Sequence, residues 1–164
     1  MIRKVLISLF SVAVLLLAAC GENETPVDMD ALRQSMADAA PSAPEMLCLT
    51  DADTDARELF SHWIDMDYNK VEHFFLLYAA DGNADEIAVI RLRRAADTAE
   101  AQRFLQEHLT GRARLYEQYR PDQLQRVEQA EIFTRGRYAV LILCDEQEAV
   151  KAAFQRTVGS LSLI

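Results

Sequence analysis

An apolar run at the start of the chain determines which residues are left to fold as a globular domain. Val5–Ala19 is apolar except for two serines, and it follows a short basic head formed by Arg3 and Lys4. Fifteen residues at about 1.5 Å each form a helix about 22 Å long. A helix that crosses the bilayer core needs about 30 Å. The run is therefore too short to be a transmembrane helix, and it has the layout of an export signal peptide.

The signal peptide ends in a lipobox, Leu17-Ala18-Ala19-Cys20. Small residues before the cysteine let a signal peptidase reach the backbone, and the thiol supplies the atom that carries lipid. The alternative is an ordinary secretory signal with an incidental cysteine, which would leave an exposed thiol at the mature N-terminus. We expect cleavage before Cys20 and a stable diacylglyceryl anchor on it. The predicted organisation is a signal peptide (1–19), a lipidated tether (20–27) and a single domain (28–164).

The charge of the chain limits its partners. The net charge is −9, and removal of residues 1–19 takes away two basic residues and no acid, so the mature protein carries −11. Nucleic acids and anionic lipid surfaces both require clustered Lys and Arg, so we exclude nucleic acid as a partner. We predict an extracytoplasmic, membrane-anchored binding module whose partner is an envelope protein or a glycan, and no cofactor.

The rest of the chain predicts the same order of elements twice. Two strands join through the turn Asp81-Gly82-Asn83, and apolar residues at three- and four-residue steps over Ala101–Tyr119 predict a long helix after them. A second strand pair turns at Arg135-Gly136, and its helix ends at Gly159. Tyr138–Cys144 is apolar throughout, which predicts a central strand. We predict an α+β domain with an antiparallel four-stranded sheet and two long helices on one face.

Three features of the sequence carry a family resemblance. They are the lipobox, the stretch Ala84-Asp85-Glu86-Ile87-Ala88-Val89 and the stretch Arg135-Gly136-Arg137-Tyr138. With the helix order over residues 29–159, they resemble the domain-of-unknown-function 4358 family of small bacterial lipoproteins. The resemblance implies the fold and the location. It implies no activity or ligand, because the family has none assigned.

Cys48 and Cys144 remain once Cys20 is assigned to lipid. Both lie in apolar runs, and buried cysteine often behaves as a small hydrophobic residue, so we expect free thiols. A disulfide between them is the alternative, since an exported protein meets an oxidising compartment.

One acidic segment has part of the spacing of a calcium loop. Asp51, Asp53 and Asp55 stand at positions one, three and five, but positions six and twelve are Ala56 and His62. An EF-hand needs Gly and Glu at those two positions. We therefore predict that the aspartates cap the helix that follows.

A second group of residues, histidines and aspartates, contains the candidate side chains for a metal site or an active site. His62, Asp65, Asp67 and His73 are close in sequence, but their spacing matches no metal-binding helix face, so they predict a surface loop. His108 lies on a helical apolar stripe and is expected at the edge of the core. No GxSxG, P-loop or GxGxxG motif occurs. A small envelope enzyme acting on a wall or surface substrate is the alternative function, and it requires these side chains to meet in one pocket.

Arginines in the middle of the chain form a predicted basic patch for an anionic glycan, a phosphate or an acidic partner. In a chain this acidic, pairing with Asp and Glu is the competing expectation. The patch consists of Arg91, Arg93, Arg94, Arg112, Arg114 and Arg120, beside Tyr116 and Tyr119.

Overall fold

The computed structural model describes residues 27–159, and this range contains five α-helices and five β-strands. The helices are α1 (Met29–Asp38), α2 (Ala56–Trp63), α3 (Thr98–Tyr119), α4 (Pro121–Glu128) and α5 (Gln147–Gly159). The strands are β1 (Met46–Thr50), β2 (Val71–Ala79), β3 (Glu86–Leu92), β4 (Glu131–Arg135) and β5 (Tyr138–Leu143). Predictions about the signal peptide, Cys20 and residues 160–164 lie outside the described residues.

The strands form one antiparallel sheet in the order β1-β2-β3-β5-β4. The α+β class and the antiparallel pairing are confirmed. The predicted number of four strands was wrong within the described range, because β1 adds a fifth strand at one edge. Its sequence Met-Leu-Cys-Leu-Thr has no alternation of polar and apolar residues, so the pattern does not mark a strand of the sheet.

The two long helices lie on opposite faces of the sheet, so the prediction that both cover one face was wrong. One core packs Ala88 and Ile90 of β3 with helices α2, α3 and α4, and the other packs Ile87 and Val89 with helices α1 and α5. Every residue of β3 and β5 is buried. Strands that are apolar on both faces need a helical layer on each, because either face left open would expose its side chains to water.

The sheet has two ends that matter for function. At the entry end, β1 finishes and β2 begins, and Val27 packs there, so the preceding chain enters the domain at this point. A cleft of about 240 Å³ at this end is lined by α1 and by residues of β1 and β2. Asp28 caps α1, and its side chain accepts from the N–H groups of Asp30 and Ala31. At the loop end, residues 80–85 connect β2 to β3.

Within residues 27–159, no helix combines the length and the apolar character needed to cross a membrane.

Candidate binding surface

The loop between β2 and β3 reverses the chain at the loop end. Gly82 has φ +78°, a left-handed conformation that favours glycine. Asp81 accepts a hydrogen bond from the N–H of Asn83 at 3.0 Å, which closes the turn. The loop leads directly into Asp85 and Glu86, two carboxylates that are almost completely buried.

Glu86 is the centre of a buried polar cluster on the face covered by α3. Its carboxylate accepts from Trp63 Nε1 at 3.1 Å and contacts His108 Nε2 at 2.9 and 3.1 Å. Arg112 Nη1 lies 3.0 Å from Glu86 Oε2 and balances the charge. Glu86 is only 1% exposed, so an ionised carboxylate is tolerated there because three side chains donate to it. His108 and Arg112 reach it together because they are one helical turn apart.

Arg112 also fixes the loop to α3. Its Nη2 donates to the carbonyl of Ala84 at 3.1 Å and to the hydroxyl of Tyr116 at 3.0 Å. The Tyr116 hydroxyl donates in turn to the carbonyls of Asn83 and Gly82, at 2.8 and 3.2 Å. Burial raises the pKa of Tyr116, with smaller opposing effects from neighbouring charges. The loop is thus held by side chains as well as by its own backbone.

Asp85 forms a second ion pair one residue before Glu86. Arg126 of α4 donates to Asp85 at 2.7 Å and to both oxygens of Asp145 at 2.8 and 2.9 Å. An open cleft of about 640 Å³ lies beside this pair, and its lining is mostly polar. Because Arg126 is bonded to two aspartates, its charge is already balanced and does not attract an anion into the cleft.

Four exposed apolar side chains lie on elements next to the Glu86 cluster, two on strands β1 and β2 and two on helix α3. Leu47 and Tyr78 are cross-strand partners, and Tyr78 pairs with Glu86, so all three lie in one row on one face of the sheet. Leu115 and Tyr119 continue the α3 stripe that carries His108 and Arg112, at three- and four-residue steps. The four side chains are between 37% and 73% exposed. We name them the apolar ledge: Leu47, Tyr78, Leu115 and Tyr119.

The predicted arginine patch does not form. Arg91 is buried on the face opposite Arg112, where its Nε lies 3.2 Å from Glu72 and its guanidinium lies over Tyr138. Glu86 and Arg91 begin and end a stretch of β3 about 17 Å long. Arg93 donates to the backbone carbonyl of Asn69 at 3.2 Å. Arginines divided between two faces and engaged with local partners do not bind one anion together.

Arg94 and Arg114 are exposed, and Arg120 bonds to Asn83 and Asp122. The predicted patch is therefore scattered over both ends of the domain.

The five residues of the enzyme hypothesis do not meet in a pocket. His73 pairs with Asp51 at 2.9 Å at the entry end, whereas His108 pairs with Glu86 at the loop end. Asp67 accepts from the N–H of Asn69 in the turn before β2. His62 and Asp65 are exposed on the surface. Within residues 27–159, no group of three or more His, Cys, Asp or Glu side chains is placed to hold a metal ion.

The acidic segment after β1 closes a turn. Asp53 accepts from the N–H and the hydroxyl of Thr50, and Asp51 accepts from the N–H of Phe74. Asp55 occupies the N-cap position of α2 but its side chain makes no capping hydrogen bond, so the prediction that these aspartates cap the helix was wrong. The carboxylates are directed to separate partners.

Cys48 and Cys144 are both free thiols, and the disulfide alternative is not formed. Cys48 lies on β1 at one edge of the sheet, and Cys144 follows β5, three strand spacings away. Three spacings amount to about 14 Å, whereas the Cα atoms of a disulfide lie within about 7 Å. Burial raises the pKa of Cys144 to about 11.

Comparison with known proteins assigns this fold to a family. A family model described as a domain of unknown function (DUF4358) matches residues 49–144, more than half of the chain. The chain belongs to the DUF4358 family. The matched range of this DUF4358 domain contains the Glu86 cluster and the Asp85–Arg126 pair, and it excludes α1 and α5. No curated protein and no solved structure gives a significant match.

Proposed function

We propose that this DUF4358 protein is an extracytoplasmic lipoprotein, anchored by lipid on Cys20, whose domain binds a partner protein of the cell envelope through the apolar ledge. The proposal is supported above all by the position of the ledge. It lies at the loop end of the sheet, while the chain enters the domain at the opposite end. A bound partner would therefore approach from the side away from the membrane.

The length of the predicted tether supports this orientation. Val27 is seven positions after Cys20 in the sequence, and seven extended residue steps reach at most about 25 Å. The entry end would consequently stay near the bilayer. The nine residues of β2 extend about 30 Å from that end to the ledge. The ledge would stand well above the lipid headgroups.

The chemistry of the ledge favours a protein over a glycan or a nucleic acid. Leucine and tyrosine provide apolar contact area, and tyrosine is enriched in protein interfaces. Exposed apolar side chains grouped on one side of a domain often mark a protein interaction site. The arginines that would have served an anionic glycan are divided between the two faces of the sheet.

The enzyme alternative has no comparable support. Its five residues lie at separate sites in the described part of the chain, and His108 directs Nε2 to a carboxylate that is buried beneath it. We therefore retain the binding function.

In-cell photocrosslinking tests the proposal. A p-benzoylphenylalanine at position 119 of the full-length protein places the probe on the ledge, and the matched control at position 155 places it on exposed α5 at the other face. We expect a single protein adduct at 119, none at 155, and loss of the adduct when Leu115→Lys is added without a change in melting temperature. Equal adducts at both positions, or an adduct insensitive to Leu115→Lys, would contradict the proposal.

A further inference from the structure

The outer edge of β1 carries backbone groups that no neighbouring strand uses. Ala80 N–H donates to the carbonyl of Glu45 at 2.8 Å, and Asp51 N–H donates to the carbonyl of Phe74 at 3.3 Å. In an antiparallel pair, alternate residues bond to the partner strand. Residues 45, 47, 49 and 51 therefore face β2, and Met46, Cys48 and Thr50 direct their N–H and C=O groups away from the sheet.

One end of this outer edge is closed by the chain itself. Asp53 Oδ2 accepts from the N–H of Thr50 at 2.7 Å, and the N–H of Asp53 donates to the carbonyl of Thr50 at 3.3 Å. Within the described residues, Met46 and Cys48 have no such partner for their outward groups. Native sheets commonly block or charge an exposed edge. Here the block stops at Thr50 and leaves a short segment of edge open.

The open segment lies beside the apolar ledge. Leu47 lies between Met46 and Cys48. It is 44% exposed and is the cross-strand partner of Tyr78. A strand added at this edge would place every second side chain on the ledge face, because successive side chains point to opposite sides of a strand. An occupant with alternating apolar residues would cover Leu47 while its backbone bonds to Met46 and Cys48.

The charges around the β1 edge indicate which side chains a bound peptide strand would carry between its apolar residues. Residues 45–55 contain Glu45, Asp51, Asp53 and Asp55 and no Lys or Arg. Lysine or arginine at the other positions of the added strand would lie on the Cys48 side, where the carboxylates of Asp30 and Asp53 act on Cys48 and where Arg33 is already paired with Asp30. Two copies of β1 paired with each other would bring eight carboxylates together, which disfavours a second copy of this chain as the occupant.

We propose that the outer edge of β1 is a docking site for an extended peptide segment in which apolar residues alternate with Lys or Arg, added to the sheet through Met46 and Cys48. This inference rests on the proposed binding function and specifies its partner. Peptide addition to a sheet edge derives its affinity from main-chain hydrogen bonds and its specificity from alternate side chains.

Peptide binding to the full-length protein in detergent micelles tests the docking site. The probe is fluorescein-labelled Lys-Val-Lys-Val-Lys-Val-Lys, and the controls are the glutamate analogue and a peptide with the same residues in two blocks. Cys48→Pro removes the outward N–H and keeps the bonds to β2, whereas the matched Cys48→Val removes only the thiol. We expect binding to wild type and Cys48→Val, and about tenfold weaker binding to Cys48→Pro.

Amide hydrogen exchange provides a readout that needs no variant. With saturating probe peptide, we expect the N–H groups of Met46 and Cys48 to become protected, while those of Leu47 and Leu49, which already face β2, change little. Equal binding of alternating and block peptides, or unchanged exchange at Met46 and Cys48, would overturn the inference. So would a dimer in sedimentation without peptide that Cys48→Pro dissociates. The crosslink at position 119 is independent of these results, so it separates failure of the docking site from failure of the proposed function.

Discussion

Replacing Glu86 with glutamine removes the charge at the centre of the loop end and leaves the size of the side chain unchanged. The amide can still accept from Trp63, so the main loss is the counter-charge of Arg112, 3.0 Å away. Breaking one partner of a buried ion pair costs about 3–5 kcal/mol. Arg112 is 20% exposed and partly reached by water, so we expect a loss near the lower limit, about 3 kcal/mol.

The free energy of unfolding of the full-length protein is measured in urea. Trp63 is the only tryptophan in the chain and donates to Glu86, so its fluorescence reports directly on the cluster, with circular dichroism as a second probe. The matched control is Glu107→Gln, which breaks the exposed pair with Arg103 and is expected to cost about 0.5 kcal/mol.

A second variant checks the mechanism. Combining Glu86→Gln with Arg112→Gln removes the two charges together, and we expect it to cost less than the sum of the two single losses, because either single change already breaks the ion pair. If Glu86→Gln were no more destabilising than Glu107→Gln, the carboxylate would not anchor the loop end as described.

Three further predictions concern other parts of the domain. Gly111→Ala in the middle of α3 meets open space and is expected to stabilise by about 1 kcal/mol, whereas Gly82→Ala at φ +78° is expected to destabilise by about 1–2 kcal/mol, both in urea unfolding. An alkylating reagent at pH 8 is expected to label exposed Cys48 in the folded protein and to label buried Cys144 only after unfolding. At that pH only about one Cys144 side chain in a thousand is a thiolate, the form that reacts. The intact mass of the labelled protein shows how many cysteines have reacted. Folding raises the pKa of the Tyr116 hydroxyl, so the protonated hydroxyl contributes fully to stability below its unfolded pKa of about 10. This contribution is lost as the pH rises through the pKa of the folded state. In the Tyr116→Phe variant, we expect the free energy of unfolding to decline less steeply at alkaline pH.

Local sequence patterns predicted the elements of this fold well. The apolar stripe of α3, the turn at Gly82 and the continuous apolar β5 each depend on neighbouring residues alone. Their arrangement depends on contacts distant in sequence, and there the prediction was wrong. Every residue of β3 and β5 is buried, so both faces of the sheet must be covered. Helices on one face alone could not cover both faces.

The Glu86 cluster was missed for a related reason. Glu86 begins a strand, where a charged residue usually meets water, and its partners are more than twenty residues away. A signal was nevertheless present, because His108 and Arg112 lie one turn apart beside an apolar stripe. Two donors on such a face require a buried acceptor. The arginine patch failed because proximity in sequence says nothing about which face of a strand each side chain occupies.

The attachment of this DUF4358 domain to a membrane is tested most directly by the intact mass of the protein isolated from its own cells. We predict a chain that begins at Cys20 and carries the added mass of a diacylglyceryl group, and a Cys20→Ala variant that leaves the membrane fraction. A wild-type protein without lipid mass, or a variant that stays equally membrane-bound, would contradict the account.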